Sequence, residues 1–195
     1  MNRFPRLRLA LTALLAALLL AACATGGRLQ GAGRTQVLGM ELETTLDWAR
    51  YKGPRQETWT IDGTPLNALH LIAGIKPKEH VFQTGRERHD SPHRAWYRPG
   101  LRPDEQQELL LAALREEGWT DVEGENLRPA RFGSAEGLRF EFRMASARGL
   151  RYAGTAAMFE RAGKLTLVYW RAPLEHYHGR DAAAVAALMD SIRVP

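Results

Sequence analysis

The stretch GLRFEFRMASARGLRYAGTAAMFERAGKLTLVYW, residues 137–170, decides the fold. Leu138, Phe140, Phe142 and Met144 alternate with Arg139, Glu141 and Arg143. That is the period of two expected of a β-strand with one buried and one wet face. Arg148-Gly149 marks a turn, Tyr152 to Phe159 continues as a second strand, and Ala162-Gly163 turns the chain into Leu165 to Trp170, where Leu165, Leu167 and Tyr169 share a face. Three consecutive strands joined by short turns predict an antiparallel meander.

The flanking segments supply helices and further strands. Downstream, Val185, Leu188, Met189 and Ile192 recur at the spacing of one helical stripe, alanines fill the gaps, and Asp181 stands where an N-cap is expected. Upstream, Pro103-Asp104-Glu105 opens a second helix, with proline in the first turn and acids at the positive end of the macrodipole. Leu110, Leu111 and Leu114 form its apolar face, Gly118 closes it, and a short strand is expected from Val122 to Leu127.

Nearer the N-terminus, Thr35 to Leu46 reads as one strand, with Trp48 following. Thr58 to Ile61, Asp62-Gly63 and Leu66 to Ile72 read as a hairpin, because Asp-Gly supplies the positive φ of a tight turn. Lys76 to Gly100 is polar and broken by Pro77, Pro92 and Pro99, and reads as a long excursion. Strands, helix, strands, helix is the order of an α+β domain with an antiparallel sheet flanked by helices. One domain, residues 35–195, is expected.

The run Gly137 to Phe142, Gly154, Lys164 to Leu167, Ala172-Pro173 and the terminal helix together resemble the Mog1/PsbP-like group. The resemblance implies an antiparallel sheet sandwiched between helices. It also implies an accessory or binding role and brings no catalytic motif.

The first 22 residues read as a leader. Arg3, Arg6 and Arg8 precede an uncharged apolar run from Leu9 to Ala22. That run is shorter than the roughly 20 apolar residues of a membrane-spanning helix and has the pattern of a signal peptide. Leu20-Ala21-Ala22-Cys23 resembles the lipobox of bacterial lipoproteins. The resemblance implies cleavage between Ala22 and Cys23, a diacylglycerol on the Cys23 sulfur and a further acyl chain on its new amino group. Two or three chains hold a protein on its bilayer effectively permanently. By the same resemblance Ala24, where an aspartate favours inner-membrane retention, implies the outer membrane, facing the periplasm. Residues 23–34 then comprise the lipidated cysteine and a glycine-rich flexible tether.

The three leader arginines belong to a total of 27 basic residues, and no acid accompanies them, so the remaining chain carries 24 basic against 22 acidic residues. The formal charge of +5 is thus largely the leader's, and no nucleic-acid partner is expected. Cys23 is the only cysteine, so no intramolecular disulfide forms and the core is held by burial.

Four candidate sites present themselves. His80, His89, Asp90 and His93 carry metal-ligating chemistry in the excursion, although Ser91-Pro92 keeps His89 and His93 off one helical face. Glu175, His176 and His178 offer an acid and bases just before the last helix, where a loop or capping role is the alternative. Arg139, Glu141 and Arg143 form a charged row, for which ion pairing or solvation is the alternative to recognition. Trp48, Trp59, Trp96, Trp119, Trp170 and Tyr169 line either a pocket or the core.

Ser134, Ser146 and Ser191 lack a partner base, and no nucleophile elbow occurs. The balance favours a membrane-anchored, non-enzymatic binding or accessory module of the cell envelope, with a protein partner there and no cofactor beyond the lipid on Cys23. The alternatives are a metal-binding hydrolase using the His80 to His93 loop, and a structural spacer.

Overall fold

The computed structural model describes residues 27–82 and 94–195. Residues 1–22, read above as a signal peptide, and Cys23, His89, Asp90 and His93 lie outside the described residues. Among the described residues ten strands and two α-helices follow in order: β1 Arg28–Gln30, β2 Gly33–Val37, β3 Met40–Thr44, β4 Trp48–Lys52, β5 Gln56–Thr60, β6 Ala68–Ile75, α1 Pro103–Glu116, β7 Thr120–Phe132, β8 Ala135–Ala145, β9 Arg151–Arg161, β10 Lys164–Pro173 and α2 Gly179–Asp190. Eight of the strands form one antiparallel sheet in the order β1-β4-β5-β6-β10-β9-β8-β7, while β2 and β3 pair as a separate hairpin. Among the described residues no helix is long and apolar enough to cross a membrane.

The expected meander is present. β8 pairs with β9, and β9 with β10, in unbroken register. β10 then pairs with β6, joining the meander to the N-terminal strands at the centre of the sheet. The central strands are apolar on both faces because both faces are covered. On one side α1 buries Leu110, Ala113 and Leu114 against Phe140, Phe142, Met158 and Leu167. On the other, α2 and the β2-β3 hairpin bury Val185, Leu188, Met40 and Leu42 against Trp48, Trp59, Trp170 and Phe159. The tryptophans 48, 59 and 170 are therefore core. α1 starts as its sequence predicts: Pro103 occupies the first turn and the Arg102 backbone N–H donates to Glu105 at 2.8 Å. It stops at Gly118, whose φ of 91° is open to glycine and costly for other residues.

Several expectations are corrected. The row Arg139, Glu141, Arg143 is not a uniformly wet face: Arg139 is buried, its Nη1 donating to Asp190 of α2 at 2.6 Å. The helix that covers this face lies 51 residues away in sequence and turns an apparent solvent position into an interior one. Thr35 to Leu46 is a hairpin rather than one strand, since Leu38 and Gly39 both take positive φ, 50° and 77°, as a two-residue turn demands. Within the segment read as a tether, Arg28–Gln30 enters the sheet as β1 beside β4, where Gln30 accepts from the Arg50 guanidinium at 2.8 Å. The hairpin of β5 and β6 exists, but its turn is wider than Asp62-Gly63: the Gly63 carbonyl accepts from both Leu66 and Asn67.

β7 runs to Phe132 rather than ending near Leu127. Asp121 and Asn126, at φ of 49° and 55°, sit where its register with β8 slips, and two slips erase the alternation by which a strand is recognised. Asp181 is not the cap of α2. A π-helical turn, Leu174–His178, leads directly into Gly179, and Asp181 lies two residues inside the helix, buried and accepting from Asn67.

Candidate functional site

The two described ends of the excursion close on each other through a bridge between His80 and Trp96. His80 is 1% exposed, and both of its ring nitrogens are engaged. The Phe82 N–H donates to Nδ1 at 3.1 Å, so Nε2 carries the proton and donates to Glu116 at 3.0 Å. Glu116, at the end of α1, also accepts from Arg94 Nε at 2.9 Å and from the Ala95 N–H at 2.6 Å. Arg55 completes the clamp, reaching Glu79 and the His80 carbonyl, each at 2.8 Å.

Burial holds the His80 pKa below its usual value, against the pull of Glu116. Glu116 is itself held below the ordinary carboxylate value: burial pushes it up, and the hydrogen bonds from Arg94, Ala95 and His80 outweigh that. The clamp is a structural tie between excursion and helix, and it occupies the nitrogens that His80 would offer a metal. Among the described residues no group of three His, Cys, Asp or Glu is arranged to hold an ion.

The remaining candidates separate. His178 stacks on Trp170 with centroids 5.2 Å apart, whereas His176 is exposed with its ring against Tyr177, so the two do not share a site. Ser191 Oγ accepts from Glu43 and donates to the Leu188 carbonyl, Ser134 donates to the C-terminal carbonyls, and Ser146 caps the turn to Leu150. These serines tie backbone together.

The arrangement with unspent chemistry lies at the end of the sheet where β10 leaves it. Arg171 follows Leu165, Leu167 and Tyr169 on the α1-side face, the next position in a row of buried apolar residues. It is half-buried, its guanidinium 4.8 Å from the Trp119 ring centroid and 5.8 Å from that of Tyr152. Trp119 meets Tyr152 edge-on at 4.9 Å, and the Tyr152 hydroxyl is fixed by donating to the Pro65 carbonyl at 2.9 Å. Among the described residues Arg171 makes no ion pair and no side-chain hydrogen bond. Its charge is felt by Glu117, where burial nevertheless raises the carboxyl pKa, and by His70.

His70 stacks on Tyr169 at 4.6 Å and shares a hydrogen bond of 3.2 Å between Nδ1 and Thr58, while its buried Nε2 has no partner among the described residues. Burial, reinforced by Arg171, pushes its pKa down to about 3. A separate shallow cleft of about 180 Å³ involves Asp121, Glu123, Arg143, Met144, Ala145, Arg151, Tyr152 and Leu174, and the side chains of Arg143, Ala145 and Arg151 there alternate with Met144 and Tyr152 and so face the α2 side of the sheet, opposite to Arg171. That is below the roughly 300 Å³ at which small-molecule pockets begin, so the cleft suits a side chain of a larger partner. Arg143 is spent on Glu125 at 3.1 Å, and Arg151 is exposed, with no ion pair among the described residues.

Neither Arg171 nor Arg151 is among the candidates read from the sequence. The signal was available for Arg171: a cation at the next position of a face already assigned as apolar.

Compared with solved structures, the chain is similar to the cyanobacterial PsbP protein of Synechocystis, at 11% identity over 88% of this chain and 94% of that one, with a TM-score of 0.54. The fold is Mog1/PsbP-like. The Ran-binding protein Mog1p of Saccharomyces cerevisiae aligns over 84% of this chain and 96% of its own at 9% identity and a TM-score of 0.50. A longer Bacteroides thetaiotaomicron protein aligns at 8% identity and a TM-score of 0.46, and this chain spans 49% of it. No protein-family model and no curated protein matches the sequence. At these identities the likeness is one of fold, and function rests on this chain's own residues.

Proposed function

We propose that the chain is a lipoprotein, anchored through Cys23 on the periplasmic face of the outer membrane, whose Mog1/PsbP-like domain is a non-enzymatic binding module for another envelope protein. The anchor rests on the leader and on Leu20-Ala21-Ala22-Cys23. The binding role rests on one observation above all: Arg171 is fixed on the Trp119 and Tyr152 rings without an acidic partner among the described residues. A guanidinium held by stacking keeps its planar set of donors for an acceptor outside the domain, and holding it in advance lowers the ordering cost of binding. The hydrolase alternative loses one of its four ligands, because His80 is committed to Phe82 and Glu116.

Cross-linking in intact cells tests the reading. A photoreactive residue at Arg148, on the exposed turn between β8 and β9, is expected to capture a discrete partner in the wild-type background and to lose it with Arg171→Gln. Capture that is unchanged by Arg171→Gln, or no capture, contradicts it.

A further inference from the structure

The α1-side face of the sheet is covered only in part. Leu29 stands opposite Ala49, Tyr51 opposite Thr58, Thr58 opposite His70 and His70 opposite Tyr169, so Leu29, Ala49 and Tyr51 lie on the same face as Tyr169. Yet no residue of β1, β4 or β5 joins the apolar core on that side, which α1 and the described ends of the excursion close over β6 to β10. At the uncovered edge stand Leu29 and Tyr51, large apolar side chains that are 78% and 46% exposed.

Two cations belong to the same edge. Arg28 opens β1 and Lys52 ends β4, both are exposed, and neither makes an ion pair among the described residues. The acids beside them are spent: Glu57, opposite Lys52, holds the Arg50 guanidinium, and Asp47 accepts from the Ala32 N–H at 3.0 Å. A leucine, a tyrosine ring and two cations on one rim match the layer where hydrocarbon meets anionic headgroups.

Chain length decides which edge a lipid on Cys23 can bring to its bilayer. β1 begins five residues after Cys23, a span of at most about 18 Å, whereas β7 lies at the other end of the eight-stranded sheet, about 34 Å from β1. The chain enters the sheet beneath Tyr51: a Cβ at Gly27 would lie 3.0 Å from the Tyr51 Cζ, so glycine there lets the ring rest on the incoming backbone. Other occupants fit less well. The three residues of β1 give a second copy little to pair with, and two apolar side chains fall far short of the roughly 800 Å² that each partner buries in a stable protein interface. A surface to which the chain is already tied needs less, because the second contact is intramolecular.

We propose that the β1-β4 edge docks on the bilayer that holds Cys23, with Leu29 and the Tyr51 ring in the headgroup layer and Arg28 and Lys52 on anionic phosphates. The sheet then stands on this edge, and β7 is turned away from the lipid. The inference rests on the anchor reading and adds an orientation to it.

The test places the acylated wild-type protein in nanodiscs of phosphatidylethanolamine and phosphatidylglycerol doped with a gadolinium-headgroup lipid, and reads the broadening of backbone amide resonances. Gln30 and Ala49 are expected to broaden strongly and Arg128 of β7 to stay sharp. The double variant Leu29→Ser, Tyr51→Ser keeps the tether and changes exposed positions, and should reduce the broadening at Gln30 and Ala49 by about threefold or more. Arg28→Glu with Lys52→Glu should reduce it as well.

Equal broadening in wild type and Leu29→Ser, Tyr51→Ser would mean that the tether alone keeps the edge near lipid, and overturns the docking, as does broadening spread evenly from β1 to β7. A concentration-dependent dimer that the same variant dissociates would assign the rim to a second copy and overturn it too. An unacylated wild type overturns the anchor reading and the docking with it, whereas an acylated wild type without broadening at Gln30 and Ala49 overturns the docking alone.

Discussion

Replacing His70 by phenylalanine should make the protein more resistant to acid. The wild-type ring places in the interior a nitrogen that has no partner among the described residues, and its neutral and charged forms are separated by pH. At pH 7.5 the imidazole is neutral in both folded and unfolded chains. Phenylalanine keeps the stack on Tyr169 and removes an orphaned polar atom whose burial costs about 1–3 kcal/mol, but it forfeits the Thr58 hydrogen bond, worth about 1 kcal/mol. The net change there is small, about 0–2 kcal/mol in favour of the variant.

Below pH 6.5 the unfolded chain takes up a proton that the folded chain refuses, because the folded pKa lies at about 3. Stability therefore falls as pH drops through this window, by about 1.4 kcal/mol per pH unit for one group. Between pH 6.5 and pH 5 the gap between variant and wild type should widen by about 2 kcal/mol, and it stops widening once the folded form also protonates. Urea unfolding of both chains at a series of pH values measures this directly. A constant gap, or a variant destabilised by more than about 1 kcal/mol at pH 7.5, would mean that Nε2 has a partner and that the reasoning is wrong.

Three further substitutions probe other parts of the account. Gly154→Ala would place a Cβ 2.2 Å from the Trp170 carbonyl oxygen and 2.4 Å from Phe142 Cζ. Two neighbouring strands must then part, and a loss of about 3 kcal/mol or more is expected in chemical denaturation; a loss below about 1 kcal/mol would refute the packing. Glu116→Ala removes the acceptor that the His80 Nε2–H and the Ala95 N–H share, and should cost about 2–4 kcal/mol, with faster hydrogen exchange at Ala95 as the local readout. Unchanged exchange there would show that the clamp does not hold the excursion. Arg171→Gln should cost about 0.5–2 kcal/mol of unfolding free energy, the loss of its contacts with the two rings, while abolishing partner capture; a variant too unstable to fold would make Arg171 structural.

The parts of the fold legible in the sequence are those whose signal is local and periodic. Leu138 to Met144 betrays β8 because a charged residue stands between each apolar residue and the next, and α1 is bracketed by Pro103 and Gly118. What escaped depends on contacts distant in sequence or on broken periods. The slips at Asp121 and Asn126 hide half of β7, and the positive φ of Leu38, unusual for a leucine, hides a hairpin. Arg139 looks solvated until α2 returns to cover it.

For the site, histidines and serines drew attention by their chemistry, yet His80 and Ser191 turn out to be tied to backbone and helix ends. Arg171 was visible only as an exception to a rule, a charge continuing an apolar row. Recognising it needed Trp119 and Tyr152, which come from the α1-β7 connection and from β9, to be seen in one place.

The central claim, a binding domain held on a membrane by its own lipidated cysteine, is tested most directly by intact mass and membrane fractionation of wild type beside Cys23→Ser. The account predicts that the wild type has lost residues 1–22, gained acyl mass and sediments with membranes, while the variant does none of these. Two soluble, unacylated proteins would contradict it.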